Sequence, residues 1–186
     1  MRGRVHLFLF LFLFLPCLAQ QPVGLTPDSL VLKDFSRRVA DYVKLHKAAQ
    51  SEIHALKPTG SQEAIKRHEH QLAERIRADR QGATQGNLFT TEIAQEFRRL
   101  IGITMQGPQA ARIRQSLQSV APVGSQAIRI DSTYPAGLPL QSTPASLLLN
   151  LPPLPPEIEY RVMGHALVLR DVDANLVVDF IPNAIP

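Results

Sequence analysis

The chain has a single cysteine, no tryptophan and few aromatic residues of any kind. Cys17 lies inside an N-terminal leader, so the mature protein has no thiol, which excludes an internal disulfide, a thiolate nucleophile and a cysteine metal shell. The missing tryptophan and sparse rings argue against carbohydrate platforms and base-stacking surfaces. Charge of one sign is also lacking. Twenty basic residues against sixteen acidic give a net charge of +4, far from the footprint of a nucleic-acid binder. No Gly-x-Ser-x-Gly elbow occurs, and no glycine pattern that would cradle a phosphate. His165 sits in an expected turn without a nucleophile–base pair around it. These absences together read as a protein that is not an enzyme and carries no cofactor.

What is present begins with the leader. Arg2 and Arg4 precede an unbroken Leu/Phe run from Leu7 to Leu15, and Pro16-Cys17-Leu18-Ala19 places small residues where a signal peptidase reads. The run is about half the ~20 residues that a membrane-spanning helix needs. Residues 1–19 are therefore read as a signal peptide cleaved after Ala19, leaving no stable membrane span and a periplasmic or extracellular product.

Residues 20–120 read as a helical domain of three to four antiparallel helices. Leu32, Phe35, Val39, Tyr42, His46, Ala49, Ile53 and Leu56 recur in alternating steps of three and four, the seam of a long amphipathic helix. Thr26-Pro27-Asp28 supplies its cap, a proline suited to the first turn and an acid suited to the helix dipole. Lys57-Pro58-Thr59-Gly60-Ser61 is a turn, and a second helix follows from about Gln62 to Gln81 with a thin stripe of Ile65, Leu72 and Ile76. A third begins near Thr90 or Thr91 and carries Ile93, Phe97, Leu100 and Ile101. Gly107-Pro108 breaks it, and Ala110, Ile113, Leu117 and Val120 mark a fourth.

Ten of the fifteen prolines lie from Pro122 onward. Residues 121–156 read as a proline-rich connector, with short strands expected at Ile128–Ile130 and Leu147–Leu149 and a stiff polyproline spacer at Leu151–Pro156. Residues 157–186 read as a small antiparallel β-meander. Ile158, Tyr160 and Val162 alternate with polar residues, Gly164-His165 and Asp171–Asn175 supply two turns, and Leu176–Ile181 is the last strand. The expected fold class is thus α+β. Asp171-x-Asp173-x-Asn175 opens like a calcium loop but has Leu176 where glycine is needed and Pro182 where an acid is needed, so it reads as a hairpin turn. Glu157 and Glu159, at the first strand's start, read as solvated.

Metal chemistry rests on three candidates, His46, His68 and His70. His68 and His70 point about 200° apart on one helix, so His46 across a helical hairpin would have to complete any pair, and no cysteine or carboxylate trio finishes a shell. No metal is assigned on that basis. The tail from Glu159 through Arg170-Asp171 to Ile181 resembles the closing hairpin of small exported bacterial proteins, among them RcnB-type nickel/cobalt homeostasis proteins of the periplasm. That resemblance implies a periplasmic, non-enzymatic role and transfers no ligand residue. The helical part is similar to Spy/CpxP-type periplasmic chaperones in being basic, exported and helical.

The expected function is a structural or protein-binding module of the cell envelope that meets a protein partner or another copy of itself through the helix-one seam. The alternatives are a metal-binding or metal-homeostasis protein and a holdase-type chaperone. Intact-mass measurement of protein from its native host checks the leader: the expected mass begins at Gln20, and a cytosolic protein still carrying Met1 would contradict the assignment.

Overall fold

A computed structural model describes residues 27–118, 128–135 and 143–186. The leader, the Thr26 cap and the expected end of the fourth helix at Val120 lie outside the described residues. The elements are α1 (Pro27–Ser51), α2 (Gln62–Asp79), α3 (Thr91–Gln106), α4 (Ala110–Gln118), the single turn α5 (Ala145–Leu148), β1 (Ile158–Met163), β2 (Ala166–Asp171) and β3 (Leu176–Ile181). This is the α+β class expected. No helix among the described residues is long and apolar enough to cross a membrane.

The seam of α1 holds from Phe35 to Ala49: Phe35, Val39, Tyr42, His46 and Ala49 are all buried. It stops earlier than its periodicity suggests. The amides of Glu52 and Ile53 bond back only three residues, to Ala49 and Gln50, tightening the last turn before Pro58 disfavours helix at its predecessor. Ile53 and Leu56 therefore lie beyond the helix. α2 starts as its composition dictates, with Ser61 Oγ accepting from the Ala64 amide at 3.3 Å. Only its second half is buried, through Leu72, Ala73 and Ile76. Thr90 caps α3 through the Ile93 amide, and Gly107 ends it.

The three strands form one antiparallel sheet in the order β1-β2-β3. Gly164 has a φ of +57°, which the first central residue of the two-residue turn between Met163 and Ala166 demands and which glycine adopts without strain. Rings from four separate segments meet between helices and sheet. Phe35 of α1 stacks on Phe89 at 5.4 Å, Phe97 of α3 approaches both edge-on at 4.8 and 5.1 Å, and Tyr160 of β1 lies 6.1 Å from Phe97. Leu167, Leu169, Leu176, Val178 and Ile181 of the sheet belong to the same core. The segments expected as a helical domain and a separate tail thus share one hydrophobic interior. The α1 seam expected to meet another copy is filled by that interior.

β3 carries an irregularity with a large consequence. Its register against β2 slips between Leu169 and Arg170, so Leu169 faces Asp179 while Arg170 faces Val177. The extra residue is Val178, and the bulge reverses the alternation beyond it: Leu176, Val178 and Ile181 all join the helix-side core, while Phe180 packs with the second face.

That second face is covered in part by the stretch expected to be a connector. Tyr134 is buried there with Met163, Ala166, Val168 and Val177, and Ile128 packs beside them. The backbone of 131–134 runs along the outer edge of β3. Asp131 and Tyr134 donate to the carbonyls of Val177 and Asn175, and Val177 donates to Ser132. Ile128–Ile130 is not a strand; a bridge from Thr133 to Leu176 takes its place. Leu147–Leu149 was expected as a strand and is helical instead, because Pro144 at the N-cap directs the chain into a turn closed by the Leu147 amide on the Pro144 carbonyl. The polyproline stretch is docked rather than free-standing: Tyr160 Oη donates to the Pro152 carbonyl and the Ile158 amide to that of Pro155.

Candidate functional site

Three polar side chains with no exposure or almost none join the sheet to the helices. On β2 the helix-facing positions are Leu167, Leu169 and then Asp171, a carboxylate set at the end of an apolar row. It meets the two polar residues of the α1 seam. Asp171 Oδ2 accepts from Tyr42 Oη at 2.8 Å and from His46 Nδ1 at 2.6 Å, and Oδ1 accepts from the Ala174 amide at 2.8 Å. Asp171 and His46 are both wholly buried. A carboxylate only accepts, so its partner Nδ1 must carry hydrogen and the imidazole lone pair is left on Nε2. Nε2 is buried without a hydrogen-bond partner, 3.7 Å from Oδ2 of the half-exposed Asp173. Burial works against a charge on His46, but the hydrogen bond to Asp171 and the fields of Asp171, Asp173 and Glu157 outweigh it and raise the pKa above the usual 6.5. Burial, with Asp171 adding to it, pushes the Tyr42 phenol well above 10.

Asp179 is the second buried carboxylate. The bulge turns it toward the helices, where Oδ1 accepts from the Gly86 amide at 3.0 Å and Oδ2 from the Leu88 and Phe89 amides at 2.8 Å each. It shapes the loop that delivers Phe89 to the core and Thr90 to its cap, and the φ of +93° at Gly86 is part of that shape. Arg80, at the end of α2, is the third. Its Nη1 reaches Asp131 Oδ1 at 2.5 Å, its Nη2 donates to the Val178 carbonyl at 3.0 Å, and its guanidinium lies 5.1 Å from the Tyr42 ring centre. All three groups are fully engaged in holding backbone or side chains in place. None faces a cleft.

A groove among the described residues is of a different character. Between α5, the Pro152–Leu154 stretch and β1 lies a groove of about 660 Å³ lined by Leu148, Leu149, Leu151, Leu154, Ile158 and Tyr160. Leu149 is 76% exposed at its lip. Its charged residues are ion-paired: Arg161 donates to both oxygens of Glu159 at 2.6 and 2.5 Å, and the neighbouring Arg170 donates to Glu159 Oε1 at 2.6 Å. Glu159 is thus ion-paired rather than solvated, and Glu157, paired with Lys47 at 3.0 Å and little exposed, is the same. Both depart from the expectation for a strand's start, because α1 and β2 bring cations to them.

The three candidate histidines are not brought together. His46 is enclosed with Asp171, while His70 on α2 is 74% exposed, with Glu74 at 3.9 Å. His68 lies partly buried on the same helix. Among the described residues no group of three or more His, Cys, Asp or Glu is placed to hold a metal ion. Asp171-x-Asp173-x-Asn175 forms the turn expected of it, with Asn175 at a φ of +51°. Sequence reasoning passed over Asp171, Asp179 and Arg80. The signal for Asp171 was its position two residues beyond Leu169 and four beyond Leu167, on the same apolar face as them, matched by a histidine on the apolar seam of α1. Asp179 had no such signal, because the bulge that turns it inward is not written in the alternation.

No family model, curated protein or solved structure matches the chain. The geometry therefore carries the functional reading unaided. Replacement of Asp171 by Asn is expected to lower unfolding free energy by about 3 kcal/mol, since it removes the charge from three buried hydrogen bonds. Tyr42→Phe, which deletes one donor, should lower it by about 1 kcal/mol. Equilibrium denaturation checks the pair, and a loss in Asp171→Asn no greater than in Tyr42→Phe would deny the carboxylate its central role.

Proposed function

We propose that the protein is an exported, non-enzymatic binding module that receives an apolar, extended polypeptide segment in the groove beside β1. One observation carries this reading: the groove is lined by leucine, proline and tyrosine side chains, with an exposed leucine at its lip and its charged residues paired with each other. A groove of this size and lining suits apolar side chains, and rigid proline and tyrosine walls lose little entropy when a chain settles against them. Among the described residues the charged side chains of the lining are ion-paired, which disfavours a ligand with a charged head. The buried carboxylates are committed elsewhere, Asp171 to Tyr42, His46 and its own turn and Asp179 to loop amides. Export follows from the leader, and a non-enzymatic role from the lack of a nucleophile or glycine motif together with these commitments.

An unstructured leucine-rich peptide with a fluorescent label, titrated with the leaderless chain and followed by anisotropy, is the direct test. Saturable binding is expected, weakened about tenfold or more by Leu149→Asp at the lip. Binding that is absent, or indifferent to that substitution, removes the groove from consideration.

A further inference from the structure

Two buried polar atoms near the α1–sheet junction have no hydrogen-bond partner, His46 Nε2 and Glu157 Oε2, and the first has chemistry of its own. His46 Nε2 is buried and unpartnered at the junction of α1 with the β2–β3 turn, and Asp173 Oδ2 stands 3.7 Å away on that turn. Because Asp171 fixes the hydrogen on Nδ1, Nε2 has two states. Bare, it is an acceptor lone pair enclosed opposite a carboxylate that has nothing to donate. Protonated, it is a donor facing that carboxylate, which needs to move less than an ångström to reach hydrogen-bond distance. We propose that His46 is a proton-operated latch: a proton taken up on Nε2 draws Asp173 inward and adds a second tie from the β2–β3 turn to α1 beside that of Asp171, and loss of the proton releases Asp173.

The surroundings favour such a device. From α1 itself, Tyr42 shares the Asp171 carboxylate and Lys47 is turned to Glu157 at 3.0 Å. The turn contributes Asp171 and Asp173. The segment entering β1 contributes Glu157, whose field acts on the imidazole and whose carbonyl accepts the Val172 amide of the turn at 2.9 Å. From α2, Arg80 lies over the Tyr42 ring but is bound to Asp131. The cations near the ring thus each have an acid of their own, while the ring faces carboxylates. Asp173 is half exposed, so it is free to swing, and Val172 and Ala174 beside it report the turn through their amides.

The direction of the pH effect follows from the raised pKa. The unfolded imidazole titrates near 6.5 and the folded one higher. The stabilisation is therefore present in full below pH 6.5 and is lost as pH rises through the folded-state value. This latch is closed by acid, the reverse of a buried histidine held neutral.

Proton NMR of the His46 ring across pH 5 to 9, on the leaderless chain and on its Asp173→Asn variant, tests the proposal together with thermal unfolding at the same pH values. Three results are expected. His46 titrates above 6.5, the variant lowers that midpoint by about half a unit, and acidification from pH 8.5 to 6.5 raises the melting temperature of the parent more than that of the variant. Exchange of the Val172 and Ala174 amides, corrected for intrinsic rates, should slow in the acid state of the parent alone. A midpoint below 6.5 in the parent overturns the proposal even if the variant does not fold. So does a midpoint unmoved by Asp173→Asn, and so does a stoichiometric zinc effect on the Nε2 side of the ring, which would make that atom a metal ligand.

Discussion

Everything in this structure turns on a carboxylate placed where an aliphatic side chain would be expected. Asp171 ends the apolar row of β2 and binds α1 twice, through Tyr42 and His46, while closing its own turn on the Ala174 amide. Apolar contact is non-directional, and the core of leucines and phenylalanines would tolerate α1 sliding along the sheet. Two hydrogen bonds from one helix to one carboxylate allow a single registration. A chain that forms no disulfide has particular need of such a fixed point, since nothing covalent joins residues so distant in sequence.

The β3 bulge extends the same logic. By inserting Val178 it turns Asp179 to the helix side, where the loop before α3 wraps on it, and it leaves a carbonyl for Arg80 to bind. Arg80 in turn holds Asp131, whose neighbours run along β3, and Arg77 helps by donating to the Asp131 carbonyl at 2.8 Å. The proline-rich stretch consequently belongs to the core at two places, the 131–134 edge and the Pro152–Pro155 dock. The apolar groove is lined by the second of these together with α5 and β1.

How much of this could be read from the residues varies with the kind of signal. The helices, the break at Gly107-Pro108, the three strands and both turns were legible, because each rests on local periodicity or on a residue whose backbone preference is strong. The end of α1 was overrun by its own period, which continues through Ile53 and Leu56 after the backbone has turned. Leu147–Leu149 misled because three leucines have no period, and the deciding residue, Pro144, stands outside them. The tie of His46 to Asp171 joins residues far apart in the chain and was visible only as two separate oddities. The groove was not legible at all, since its walls come from α5, a docked proline run and a strand edge that only the folded chain assembles.

Native-state hydrogen exchange at low denaturant tests the central claim most directly, that one buried carboxylate makes helix and sheet a single cooperative body. Amides from Tyr42 to Ala49 in α1 and from Leu167 to Asp171 in β2 should converge on one opening isotherm, with equal free energies. Sheet amides that open at lower denaturant while those of α1 stay protected would contradict it, and would return the chain to a helical body carrying a separable tail.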